Sequence, residues 1–190
     1  QGVFPHFVDR SKPGVIAVTR SGRRFCNEAD SYHDFGQSMM QRCGEEGGEV
    51  CAFFIVDHRT LRKYGLGFVK PAPMPYKHHI RSGYLFKGDS LAALAHEIGV
   101  DPVQLEATVR AFNEPARRGE DPAFGRGSNA YDRSLGDPEH QPNPCVAPIE
   151  NGPFYAVKLM MGDLGTFAGL RCNEHAQVLS DAGLPIPGLY

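Results

Sequence analysis

The chain has 190 residues, with 20 Lys and Arg against 22 Asp and Glu. That balance, without a run of like charge, removes any electrostatic case for nucleic acid or an anionic membrane and leaves a small, neutral ligand as the expected partner. No apolar stretch reaches the roughly 18 residues of a membrane span and no signal peptide is visible. The 5 cysteines, odd in number and without a Cys-x-x-Cys pair, argue against a disulfide framework or zinc knuckle. A cytoplasmic protein with free thiols and no metal is expected.

Residues 1–10 form an aromatic-rich lead-in in which Phe4, His6 and Phe7 can pack on the elements after it. Residues 14–19 have the β-branched content of a strand, and Arg20-Ser21-Gly22-Arg23 supplies a turn after it. Asn27 and Asp30 can bond local backbone, and from Asp30 onward the spacing of Tyr32, Phe35, Met39 and Met40 predicts a helix that ends at the glycines of residues 44–48. A strand, a tight turn and a helix start packed together can hold a tyrosine hydroxyl at the edge of a cleft. Taken residue by residue, Tyr32 reads as an aromatic that packs a helix start, Glu28 as a surface charge and Asn27 as support for the turn. Met39, Met40, Met160 and Met161 read as core.

Residues 50–56 are a continuous apolar run and predict a buried central strand, followed by a short helix capped by Asp57. Three prolines between Pro71 and Pro75 forbid regular structure over residues 70–82, and the adjacent His78 and His79 are expected to point apart, on a solvated surface. Ser90 caps a helix with Leu91, Leu94, Ala95 and Ile98 on one face, and Gly99 stops it. Asp101, Pro102 and Gln104 then open a second helix carrying Leu105, Val109 and Phe112. Residues 115–148, rich in Gly, Pro, Asp and Asn, predict a long loop. Residues 153–161, 169–172 and 177–179 predict strands, with a hairpin turn at Asp181-Ala182-Gly183. The expected fold class is α+β, a small mainly antiparallel sheet flanked by helices.

Strand residues 14–18 followed by Gly22-Arg23-Arg24-Phe25-Cys26-Asn27-Glu28 resemble the "G-x-R-F-x-N-E" signature of the FAD-dependent fumarate reductase and 3-ketosteroid dehydrogenase flavoprotein superfamily. Residues 91–100, 105–113, 153–157, 162–170 and 185–190 continue the likeness in the family's order. The resemblance implies a substrate-binding cap domain over residues 1–161 and, over residues 162–190, a return into an FAD-binding domain that is itself mostly absent. It makes FAD the cofactor of the full-length protein. No Gly-x-Gly-x-x-Gly follows a strand, so these residues alone are not expected to hold FAD. A start at Gln1, without an initiator Met, and an apolar end at Leu189-Tyr190 are expected of an excised piece of a longer protein.

By the same resemblance Tyr32 stands where the fumarate reductase branch has an arginine proton donor and the ketosteroid branch a tyrosine base. Gly165 and Thr166 stand on the cofactor side, where fumarate reductases carry a histidine for the dicarboxylate. Both departures favour the steroid-like branch. The implied activity is dehydrogenation of a 3-ketosteroid-like cyclic ketone, Tyr32 taking the proton while hydride leaves to the flavin. The alternatives are alkene reduction of the fumarate type and an apolar-ligand domain without chemistry.

Overall fold

A computed structural model describes residues 3–162, 165 and 169–190. Val15–Thr19 (β1), Cys51–Asp57 (β2), Phe86–Gly88 (β3) and Phe154–Met160 (β4) form a sheet in the order β1-β2-β4-β3. All its strand pairs are antiparallel. Both sheet faces are covered, which is why β1 and β2 are apolar at nearly every position instead of alternating.

Tyr32–Glu45 (α1), His58–Tyr64 (α2) and the short Lys77–Arg81 (α3) lie on one face, where Phe35, Met39 and Leu61 meet Ala17, Phe54, Val56 and Val157. Leu91–Ile98 (α4) and Pro102–Ala116 (α5) cover the other, through Leu94, Ile98, Leu105 and Phe112 on Ile16, Phe53 and Ile55. Each such aliphatic side chain, once fully buried, contributes about 1.5–3 kcal/mol relative to exposure. The fold is the expected α+β arrangement.

The caps are local and fall where their residues predict. Asp57 accepts from the Thr60 amide at 2.8 Å, Ser90 from Ala93 at 3.1 Å, and Asp101 from Val103 and Gln104 at 2.9 and 3.1 Å. Gly99 closes α4 in the left-handed conformation. The Gln104 amide turns forward to Thr108 instead of back to the cap.

Four expectations need correction. The proline-rich stretch does regain helix at α3, two residues past its last proline. The loop after α5 contains a further helix, Ala130–Leu135 (α6), capped by Asn129 and too short to show a periodicity. Residues 169–172 and 177–179 make only isolated bridges, Cys172 with Val178 and Leu179 with Pro185. His78 and His79 do not diverge; their rings lie against each other, tilted by 40° with centroids 3.9 Å apart.

Candidate active site

The turn after β1 is a buried polar knot. Gly22 has a φ of +77°, and a Cβ there would come within 2.9 Å of the Leu105 amide nitrogen, so only glycine lets α5 approach. The Arg24 guanidinium lies 4.8 and 4.9 Å from the rings of Phe112 and Phe124 and donates pairwise to the carboxylates of Asp121 and Glu28. Glu28 reads as a surface charge in the sequence, yet it is fully buried. It also accepts from the Ala17 amide at 2.9 Å and from Arg126 at 3.2 Å. Asp121 lies 97 residues from Arg24, and Arg126 98 residues from Glu28, distances over which no local pattern operates.

Arg126 extends the knot to the lead-in by donating to the carbonyls of Arg10 and Lys12 at 2.8 Å and to that of Val15. Asn27 does support the turn: its amide bridges Asp30 and Asp132 at 3.0 and 2.9 Å, and its oxygen accepts from the Ala29 amide. Burial, and then the charge of Asp132, push the Asp30 carboxyl above its ordinary range. Burial likewise holds the Cys26 thiol protonated, so it is no nucleophile.

The lead-in, the start of α1 and the end of β4 enclose a cavity of about 570 Å³, within the usual range for small-molecule sites. Its walls include Phe4, His6, Phe35, Phe54, Leu159 and Met161, and Tyr32 stands in the wall as the first residue of α1. Ser31 caps that helix start by accepting from the Asp34 amide. Tyr32 is half-buried, with the Phe7 ring edge-on at 5.2 Å. Gly165 lines the same cavity; Thr166 lies outside the described residues.

Of the four methionines expected in the core, only Met39 is there. Met40, Met160 and Met161 are 46, 57 and 39% exposed and border the cavity. Periodicity cannot distinguish them, because a cleft wall and a core wall ask for the same apolar side chains.

Arg10 is the cation of this wall, and no motif in the lead-in marks its role. It is 1% exposed and donates to the carbonyls of His6, Glu28 and Asp30, with its guanidinium 5.3 Å from the Phe35 ring. Among the described residues it has no carboxylate partner. Burial lowers its pKa, but a guanidinium stays charged at any physiological pH.

The described residues do not fit the phosphates of a dinucleotide. Such a site needs a strand leading through glycines into a helix whose amides face the ligand. The nearest spacing, Gly125-Arg126-Gly127-Ser128-Asn129-Ala130, follows a turn, and the Gly127 amide already donates to the Asp132 carboxylate at 2.9 Å. The Asn143 side chain fills the space over Gly127 that a phosphate would need. Among the described residues no group of three or more His, Cys, Asp or Glu could hold a metal, and no helix is long and apolar enough to cross a membrane.

The described residues thus form an antiparallel sheet covered on both faces, with a tyrosine at a helix start in the wall of a largely apolar cavity. The family model described as FAD binding domain matches residues 2–190, and the chain belongs to that family, whose cofactor is FAD. The chain is 51% identical over 190 residues to the 4-oxocyclohex-2-ene-1-carboxylate 5-dehydrogenase of Sinomonas cyclohexanicum, covering 100% of this chain and 32% of that protein. It is 38% identical over 187 residues to a 3-oxosteroid 1-dehydrogenase of Mycolicibacterium smegmatis, covering 96% and 33%. The crystal structure of 3-ketosteroid delta1-dehydrogenase from Sterolibacterium denitrificans, in complex with 1,4-androstadiene-3,17-dione, matches with a TM-score of 0.89 at 37% identity, over 98% of this chain and 34% of that one. The chain thus spans about a third of the length of the relatives it matches.

Proposed function

We propose that the chain is the substrate-binding and catalytic segment of an FAD-dependent dehydrogenase acting on a ring ketone, with Tyr32 as the general base. The observation that carries this reading is a tyrosine in the wall of a largely apolar cavity whose buried cation, Arg10, is committed to backbone carbonyls. A dicarboxylate of the fumarate type calls for cations free to bind it; a ring ketone calls for apolar walls and a base beside an acidic C–H. Tyr32 takes the proton from the carbon next to the carbonyl, and a double bond forms to the neighbouring carbon as that carbon gives up hydride. FAD, when bound, supplies the hydride acceptor.

Residues 1–161 act in this reading as the cap over the substrate, and residues 162–190 lead back into the FAD-binding part of the polypeptide. Gly165 and Thr166 belong to the cofactor side of the site. The substrate class is a 3-ketosteroid-like ketone. A cyclohexenone carboxylate is the second reading, favoured by the 51% identity to an enzyme named for that substrate.

The test is anaerobic mixing of the full-length flavoprotein with 4-androstene-3,17-dione, with 4-oxocyclohex-2-ene-1-carboxylate and with succinate. Bleaching of the flavin absorbance by either ketone, and not by succinate, is expected. Bleaching by succinate alone would contradict the proposal.

A further inference from the structure

We infer that the lead-in is a clamp that fixes the position of Tyr32, with Arg10 as its central positioning residue and Phe7 as its second jaw. This rests on the assignment of Tyr32 as base. Arg10 grips the chain on both sides of that residue. Its Nη1 donates to the Glu28 carbonyl at 2.7 Å and to the Asp30 carbonyl, two residues before Tyr32. Its guanidinium also lies over Phe35, three residues after Tyr32 on α1. Phe7 closes on the Tyr32 ring itself, edge-on at an interplanar angle of 84°.

The clamp is anchored at its other end. Nε of Arg10 donates to the His6 carbonyl, which stiffens the lead-in, and the Arg10 carbonyl is held by buried Arg126, whose guanidinium also reaches Glu28. The knot after β1 therefore fixes both the loop that precedes Tyr32 and the strap that grips it. A planar, forked donor is needed to reach several carbonyls while lying over a ring; a lysine ammonium on a flexible stem cannot do all of this at once. Placement matters at this level because a base displaced by about 1 Å can lose on the order of a hundredfold in rate.

The test is a double-mutant cycle in the full-length flavoprotein, with whichever ketone bleaches its flavin as the probe. Arg10→Lys is expected to lower kcat by about ten- to a hundredfold with KM changed less than about threefold. In a Tyr32→Phe background the same substitution should cost less than about twofold more, because the clamp then has no base to place. Should Arg10→Lys fail to fold, Phe7→Leu at the exposed rim serves in its stead, with an expected loss of about three- to tenfold that also vanishes on Tyr32→Phe.

Equal losses in both backgrounds, or unchanged kcat in the folded variants, would overturn the clamp and leave the base assignment standing. Normal turnover by Tyr32→Phe alone would overturn the base assignment, and the clamp with it.

Discussion

Glu28 receives four donors, from the Ala17 amide, two nitrogens of Arg24 and one of Arg126, and is fully buried. Removing one partner of such a group strands the others, which costs about 3–5 kcal/mol, whereas exposed pairs contribute less than about 1 kcal/mol. Glu28→Gln should therefore lower the unfolding free energy by about 3–5 kcal/mol in urea titration, against less than about 0.5 kcal/mol for Glu97→Gln on the exposed side of α4. Equal midpoints would show that the knot is not a stabilising centre. Several residues of this knot stand plainly in the Gly22-to-Glu28 stretch, but the reason for them does not. Two of its partners come from the loop before α6, where nothing in the sequence marks Asp121 or Arg126 as buried.

At the scale of elements, local chemistry is legible in the sequence and short or long-range structure is not. Asp57, Ser90 and Asp101 announce their helices because a cap bonds amides two or three residues on. The helices α3 and α6 are hidden because five and six residues show no periodicity. The strap between α2 and the loop after α6 is also invisible in sequence: Asp137 accepts from Lys63 at 2.7 Å and from the Tyr64 hydroxyl at 2.6 Å.

The hydrogen bonds from Lys63, then from Tyr64, hold the Asp137 carboxyl well below the usual carboxylate range. Its folded pKa lies below the unfolded value of about 3.9. The stabilisation is therefore complete above that value and is lost as pH falls through about 4 toward the folded pKa. Asp137→Asn should melt lower than wild type at pH 7, with the difference narrowing below about pH 4. A gap that widens in acid would refute the assignment.

At the scale of the whole molecule, the FAD-binding family and the lack of a dinucleotide cradle among the described residues are reconciled if the cofactor's phosphates are held by polypeptide outside residues 1–190. Those residues expressed alone should then retain no stoichiometric flavin through purification, while the full-length protein is yellow; a yellow segment would contradict this division of labour. The cavity is legible as far as Tyr32 and the resemblance reach. Its methionine wall reads as core in the sequence, and its clamp from Phe7 and Arg10 depends on a fold that returns the lead-in to the start of α1.

The most direct measurement is the rate of flavin reduction in full-length Tyr32→Phe, which removes one oxygen and leaves the ring packed on Phe7. A lost general base slows the chemical step by about a hundred- to ten-thousandfold, or roughly 3–5 kcal/mol of barrier. That loss is expected with flavin content and melting temperature close to wild type. A Tyr32→Phe enzyme that reduces its flavin at the normal rate, with any deficit confined to the roughly 1 kcal/mol of a lost hydrogen bond, would contradict the account.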